Sequence, residues 1–453
     1  MWCDRTGRAL GLAAACVLAL AAPAHATPPD VFGFGPRTSA MGMTGTAYAR
    51  DYEAVWANPA GLAQARVTGL SLGYVGGQYR LRLDGQDPAA AYRAYGIPDD
   101  VAPGAFHAAT IGFHLPLPFG GALEDVFVLG AGFYTPRSTV LQTDVFFAEV
   151  PQFPVVNRVG AVHVHLALGI DLGRWVPGLR LGFGASALAR LSGTLDVFLD
   201  EADQFVSLTE TQVLSVFNPT VGAQLDLGED WTLGVVFRDR VAANIDIDIE
   251  VTNLPVEIPR ITVAALPQYD PHTLAAELAY RPTRCLLLAA HLSYRFWSDY
   301  PGVLSRATDF SNQPPRPEFS DTISPRVGVE WSLGAPRFGG ALRAGYAYEP
   351  TPAPPARSAP ALDAEGNVRI DEGSALTTPL RYVDADRHVL SGGGGLHWAT
   401  ELGLDVRVDA FVQAQRWAAR RHAIALLDAP DAPNLRSDGW ILVGGLALTV
   451  EYR

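Results

Sequence analysis

Apolar and polar residues alternate along most of this chain. Within residues 178–199, for example, Leu181 and Phe183 alternate with Arg180 and Gly182. Because successive side chains of a strand point to opposite faces, such a segment has one apolar and one polar face. The joins between these segments are short and long in turn: 228–231 and 281–284 are short, whereas 300–321 and 349–386 are long. This rhythm predicts a transmembrane β-barrel with tight turns on one side and long loops on the other.

The pattern predicts an all-β fold with fourteen antiparallel strands, an even number that returns the chain to the side on which it started. A soluble β-sandwich or a propeller would have shorter strands and more uniform loops. The predicted strands are 66–83, 105–115, 125–136, 156–172, 178–199, 211–227, 231–250, 271–280, 284–297, 321–333, 338–349, 386–399, 402–416 and 438–452.

The first 26 residues have the features of a signal peptide. Arg5 and Arg8 precede an apolar run over residues 9–22, and Ala24-His25-Ala26 forms a cleavage site of small residues. We therefore predict a signal peptide over 1–26, a separate non-alternating segment over 27–65, and the barrel over 66–453.

The composition agrees with a membrane barrel and argues against other classes. A hydrophobic content of 48% is natural if one face of every strand contacts lipid. The formal net charge of -13, in a chain without lysine, argues against nucleic acid as a partner. His163 and His165 share a face at metal-compatible spacing, but no third ligand is evident. Since catalytic motifs are also lacking, we predict no enzyme activity, no cofactor and no metal site.

The segment 27–65 carries two short motifs, Ser-Ala-Met-Gly-Met-Thr-Gly at 39–45 and Trp-Ala-Asn-Pro-Ala-Gly-Leu at 56–62. Together with Ser-Pro-Arg-Val-Gly at 324–328 and Arg-Ala-Gly-Tyr at 343–346, they resemble the outer-membrane long-chain fatty-acid transporter family (FadL/TodX). The resemblance implies a fourteen-stranded barrel whose lumen is filled by an N-terminal hatch ending in an Asn-Pro-Ala motif, here Asn58, Pro59 and Ala60. On turn chemistry alone, Asn58-Pro59 is equally well an ordinary turn into the first strand.

The resemblance also implies passive uptake of hydrophobic compounds, above all long-chain fatty acids, by a monomer in a Gram-negative outer membrane. Outer loops would capture the ligand, the hatch would rearrange, and the ligand would leave sideways through the wall into lipid. The other expected partners are outer-membrane lipid, lipopolysaccharide and the barrel assembly machinery. That machinery reads a terminal aromatic residue, and here Arg453 follows Tyr452.

Candidate ligand contacts lie in one loop and on the polar face of the wall. The long loop 135–156 contains Phe146, Phe147 and Phe153, which suggest an apolar capture surface or a loop folded inward as packing. The loop 253–266 is the second candidate. A fatty-acid carboxylate would need a lumenal arginine, and Arg190 is the first choice because Ala189-Arg190 resembles the family's arginine-bearing strand.

Two further arginines, Arg238 and Arg240, are also assigned to the lumenal face. A sideways exit needs a weak place in the strand ladder, and Gly130, Gly132 and Pro136 on the third strand are the candidates. Pro136 is equally consistent with the end of that strand. Four residues on paired strands are predicted to form salt bridges across the wall: Arg326, Arg343, Glu330 and Glu349.

Three other functions remain open at this point. The same route could carry aromatic hydrocarbons or other apolar compounds. A barrel of this build could instead act as a scaffold or shuttle for surface proteins and move no small molecule. The third possibility is a general pore for polar solutes.

Overall fold

A computed structural model of the chain places most of the predicted barrel. The described residues are 28–84, 104–137, 153, 155–156, 162–199, 205–252, 261–302, 304–307, 317–335, 337–354, 358–360, 370–371, 374–375, 377–379, 382–422 and 435–452. The predicted signal peptide and the loop residues Phe146 and Phe147 lie outside them.

Fourteen antiparallel strands form a closed barrel, as the alternation predicts. Each strand pairs with the next, and the last pairs with the first from Thr68–Tyr452 to Asp84–Arg436. The strands are β1 Thr68–Asp84, β2 Ala105–Pro116, β3 Phe127–Pro136, β4 His163–Asp171, β5 Leu179–Leu199, β6 Phe205–Leu227, β7 Trp231–Arg238, β8 Thr273–Thr283, β9 Leu286–Arg295, β10 Thr322–Ala335, β11 Phe338–Glu349, β12 Arg387–Ala399, β13 Leu404–His422 and β14 Leu435–Tyr452.

One predicted strand, 231–250, is wrong as a single element. The barrel strand β7 ends at Arg238, and a separate strand, Val241–Thr252, begins after Asp239 and Arg240. This second strand pairs in parallel with the outer half of β5, from Leu191–Ile245 onward. The alternation continues across the break, so the sequence pattern does not reveal it.

Other short strands lie in the joins on the long-loop side. Ile261–Asp270 pairs with Val241–Thr252, and Leu304–Ala307 pairs with Ile261–Asp270. Part of the second candidate capture loop, 253–266, is therefore strand. The remaining short strands are Ser358–Pro360, Ile370–Asp371, Ser374–Ala375 and Thr377–Pro379.

The two faces of the wall are as predicted. The outer face exposes a belt of large apolar side chains, whereas the alternate positions are buried inside the barrel. Exposed aromatic residues lie near both ends of the strands, as expected for the two membrane interfaces. The belt includes Leu72, Phe183, Val221, Leu274, Leu292, Val327, Leu342, Leu390, Val412 and Leu446; the aromatic residues include Trp331, Phe338, Trp398 and Tyr452 at one end and Phe237, Tyr294, Tyr346 and Trp440 at the other.

Residues 28–65 pack inside the barrel and are called the lumenal segment below. They form three short helices, α1 Pro28–Phe32, α2 Pro36–Ala40 and α3 Ala54–Ala57, followed by a 3-10 helix at Pro59–Gln64. Most of their side chains are buried against the wall. None of the described helices has the length and apolar character needed to span a membrane.

The outward belt predicts a position-dependent cost for a charged substitution. Val327 is 51% exposed and lies near the middle of β10, whereas Leu333 lies on the same face near the end of the strand. Val327→Arg should lower the free energy of unfolding by about 2–4 kcal/mol, because the guanidinium would enter the hydrocarbon. Leu333→Arg should cost about 0–1 kcal/mol. Urea unfolding in lipid vesicles measures both, and equal costs would contradict the assignment of the faces.

Candidate functional site

A wall carboxylate binds three successive backbone amides of the lumenal segment. Glu277 on β8 is 1% exposed and accepts hydrogen bonds from the backbone N–H groups of Gly45, Thr46 and Ala47, at 2.8, 3.0 and 3.0 Å. His291 on β9 lies 3.1 Å from the same carboxylate. Successive amides that converge on one anion form a nest, so this turn is held by a charge-assisted contact. A glutamate at a lumenal strand position was the only sequence signal for this role.

Asn58 connects the lumenal segment to two wall strands. Its side-chain amide donates to the carbonyl of Thr46 at 2.8 Å, and it also reaches the carbonyls of Ala223 on β6 and Val235 on β7 at 3.0 and 3.3 Å. Its Oδ1 accepts from the Ala60 N–H at 3.1 Å, which caps the 3-10 helix that Pro59 begins. The Asn-Pro-Ala motif therefore makes a turn and also fastens that turn to the wall.

A series of ion pairs begins in the lumenal segment, crosses three wall strands and ends again in the lumenal segment. Arg37 pairs with Glu330 on β10 at 2.7 Å, and Glu330 pairs with Arg343 on β11 at 2.6 Å. Arg343 continues to Asp409 on β13, also at 2.6 Å. Arg407 then connects Asp409 to Asp51, which lies again in the lumenal segment.

The salt bridges predicted for the wall are confirmed. Arg326 pairs with Glu349 at 2.8 Å, in addition to the pair of Arg343 with Glu330. Arg295 also pairs with Glu349 and, at 3.2 Å, with Asp30 of α1. These arginines neutralise carboxylates inside the barrel, so their role in the described structure is to hold the wall and the lumenal segment together.

Glycines on the lumenal face let the backbone of the segment approach the wall. A Cβ atom on Gly182 would lie 2.0 Å from the Ala60 nitrogen, and one on Gly222 would lie 1.9 Å from Asn58 Oδ1. On the opposite wall, a Cβ atom on Gly345 would lie 2.1 Å from the Gly42 nitrogen. Real Cβ atoms do not tolerate such contacts, so these positions require glycine.

The glycines of β3 make room for side chains of the lumenal segment. The strand ladder is complete there in the described structure, and the opening predicted at these residues stays a prediction. Gly130 faces Leu62 and Val55, and Gly132 faces Phe34. At both positions β3 is paired with β2 and with β4, so the wall is closed. Pro136 is the last residue of β3 and marks the end of the strand.

Arg238 differs from the paired arginines. It is the last residue of β7, on the outer half of the lumen, and its guanidinium carbon lies 4.7 Å from the ring centre of Trp56. One guanidinium nitrogen donates to the Trp56 carbonyl at 3.1 Å. No carboxylate of the described residues pairs with Arg238. Its remaining donors are available for an anionic group that enters the lumen.

The other two candidate arginines lie on other parts of the chain. Arg190 lies on β5 opposite Leu214, three positions beyond Ala187, where the pairing of β5 with β4 ends. Its side chain is outside the described part of the chain. Arg240 was assigned to the lumenal face, but it is exposed in the turn after β7, because the strand ends two residues earlier.

The described part of the candidate capture loop is folded inward. Phe153 is 6% exposed and packs in an apolar cluster with Val156, with Tyr79 and Phe106 of β1 and β2, and with Phe32 of α1. The two other phenylalanines of that loop, Phe146 and Phe147, are outside the described residues. The cluster lies directly above the lumenal segment on its β1–β2 side.

The closed barrel with its filled lumen resembles three solved structures. A FadL homologue of Pseudomonas aeruginosa aligns over 95% of this chain and 100% of its own, with 13% identity and a TM-score of 0.59. The toluene transporter TodX of P. putida aligns over 94% and 100%, with 11% identity and a TM-score of 0.52. The toluene transporter TbuX of Ralstonia pickettii aligns over 94% and 100%, with 13% identity and a TM-score of 0.51. No protein-family model and no curated protein matches the sequence.

The structure therefore defines the class of the protein. It is a fourteen-stranded β-barrel of the Gram-negative outer membrane, with an apolar belt that faces lipid. Its fold is that of the FadL and TodX transporters, and the resemblance found in the sequence is confirmed at the level of the fold.

The contacts at the lumenal glycines predict that a glycine-to-alanine substitution will open the barrel to ions only where the added Cβ atom meets the lumenal segment. Gly182→Ala should displace the 3-10 helix and raise ion conductance through single barrels in planar bilayers. Gly392→Ala is the matched control, because its Cβ would meet only the Arg343 carbonyl oxygen at 3.7 Å. If Gly182→Ala barrels conduct no more ions than Gly392→Ala barrels, the role of this contact is contradicted.

Proposed function

We propose that the protein takes up hydrophobic compounds passively across the outer membrane, and that long-chain fatty acids are its main cargo. The observation that carries this proposal is Arg238, a lumenal arginine that has no carboxylate partner among the described residues and lies against the Trp56 ring. A free carboxylate would pair with it through two parallel hydrogen bonds. No energy source and no enzymatic step are needed, because an apolar chain partitions favourably from water into hydrocarbon.

In this proposal the lumenal segment acts as the hatch. Beneath the apolar cluster at Phe153, a cavity of about 20 Å³ lies between Phe32, Phe34, Tyr134 and Phe411. That volume holds about one water molecule, so an acyl chain can enter only if the segment moves. The ligand would thus reach Arg238 while it displaces side chains of α1 and of the loop that follows it.

The charged lining of the space below the lumenal segment makes it a poor exit for an apolar ligand and so favours release through the wall. It is a cavity of about 980 Å³ lined by charged residues, among them Arg37, Arg50, Asp51, Glu330 and Arg407. An apolar chain that left by this route would contact charged groups and water. Separation of two wall strands would instead deliver it directly to lipid, where its transfer is favourable.

A second candidate cargo is an aromatic hydrocarbon. Five aromatic residues form a buried cluster in the outer joins, with ring centres 4.7–6.2 Å apart in the contacting pairs. The cluster consists of Tyr269, Trp297, Tyr300, Phe319 and Tyr382. Two of the similar structures are described as toluene transporters. Arg238 favours the acid over the hydrocarbon, because toluene has no group to pair with a guanidinium.

The experiment is equilibrium binding of labelled oleate to detergent-purified protein, with native mass spectrometry for co-purified lipid. Arg238→Ala should weaken oleate binding by roughly tenfold or more, since hydrogen bonds to charged groups contribute about 1.5–3 kcal/mol. The same substitution should weaken the binding of oleyl alcohol much less, because the alcohol has no carboxylate. Arg240→Ala, at an exposed position two residues beyond Arg238, should bind oleate like the wild type. Arg190→Ala tests the other candidate arginine.

The outcomes separate the alternatives. If oleate still binds to Arg238→Ala but not to Arg190→Ala, the carboxylate-binding site lies on the outer part of β5. Displacement by toluene with no binding of oleate would identify the aromatic cargo. A barrel that binds neither and carries no lipid would contradict transport and favour a scaffold.

A further inference from the structure

A histidine of the wall has one ring nitrogen without a partner. His165 on β4 is 1% exposed, and its Nδ1 lies 2.8 Å from Ser186 Oγ on β5. Among the described residues no group forms a hydrogen bond with its Nε2. Buried polar atoms are nearly always hydrogen-bonded, so this nitrogen can accept a hydrogen bond from, or donate one to, a molecule that reaches it.

The ring of His165 is held in place on several sides. It stacks on His163 with ring centres 5.8 Å apart, and it contacts Trp56 at 5.1 Å and Phe34 at 5.8 Å. With Nδ1 engaged by Ser186, only Nε2 at the far end of the ring can recognise a ligand. The packing fixes the orientation of the ring, so Nε2 can form a hydrogen bond in one direction only.

This nitrogen lies close to the proposed carboxylate position. His165 and Arg238 contact the same Trp56 side chain, and both lie at the outer ends of their strands. Phe34, which contacts the His165 ring, also lines the small apolar cavity. An amphiphile bound at Arg238 would therefore have its apolar chain near Phe34 and a part of that chain near Nε2.

A hydroxyl group is the chemistry that satisfies this nitrogen. If Ser186 donates to Nδ1, then Nε2 carries the proton and needs an acceptor; in the other tautomer it needs a donor. A hydroxyl can do either. A metal ion is a poor fit, because the described residues contain no group of three or more metal-ligating side chains.

We propose that His165 Nε2 is a subsite for a hydroxyl group, and that the protein binds hydroxylated long-chain acids more tightly than plain ones. This inference rests on the proposed function, since it places the carboxylate at Arg238. The hydroxyl would form the hydrogen bond that Nε2 lacks among the described residues.

The test compares stearate with a set of monohydroxystearates that differ in the position of the hydroxyl. With full-length protein in detergent, at least one isomer should bind roughly three- to tenfold more tightly than stearate, as expected for one added hydrogen bond. His165→Phe keeps the aromatic packing and should abolish this advantage, measured as the ratio of hydroxystearate affinity to stearate affinity within the same variant. His165→Gln, which retains a polar end, should restore part of it.

His107→Phe is the control, because His107 is exposed on the outer face of β2. It should keep the full advantage of the hydroxyl. Stearate bound without any preference for a hydroxyl, or a preference that survives His165→Phe, would overturn the inference and leave water as the partner of Nε2. No binding of stearate at all would overturn the proposed function, and this inference with it.

Discussion

The contact of one buried carboxylate with three backbone amides determines how the rest of the lumen is arranged. Glu277 has no access to water, so each of its hydrogen bonds must come from the turn at Gly45, Thr46 and Ala47 or from His291. Leaving such a group unsatisfied costs about 1–3 kcal/mol or more. The carbonyl of Thr46 in turn accepts from Asn58 and from Gln224 on β6. One turn therefore fixes the start of the 3-10 helix and its distance from two strands.

The lumenal segment is held differently on its two sides. Toward β6–β13 its contacts include hydrogen bonds with the side chains of Gln224, Glu277 and Gln413, beside a small apolar cluster around Met41 and Tyr48. Toward β2–β4 its contacts are apolar side chains against glycine, such as Phe34 on Gly132. Breaking the polar contacts would leave buried charges unpaired, whereas an apolar ligand can replace the apolar contacts one for one. We therefore expect ligand-driven movement to begin on the β2–β4 side.

The sequence was sufficient for the barrel but not for the contacts inside it. Alternation predicts the strand number, the two faces and the pairs of Arg326 with Glu349 and Arg343 with Glu330, because these depend on local periodicity and neighbouring register. A glycine such as Gly130 has the same sequence signal whether it weakens a ladder or makes room for side chains of another segment. Only the tertiary contact decides between these two roles. The contact of Arg238 with Trp56 is likewise hidden from the sequence pattern, because it joins residues 182 positions apart.

Arg238, the proposed carboxylate position, differs from the lumenal arginines that are paired with carboxylates. Arg295, Arg326 and Arg343 each have a carboxylate, so binding a ligand there would first require breaking a strong pair. Among the described residues, Arg238 forms no ion pair of this kind, and the nearby carboxylate of Asp30 is paired with Arg295. The indole beneath it belongs to α3, which ends at Asn58, the residue that fastens the turn to β6 and β7. Under the proposed function, a ligand that shifts Trp56 would act directly on the anchor of the lumenal segment, and Trp56 and Asn58 would couple binding to opening.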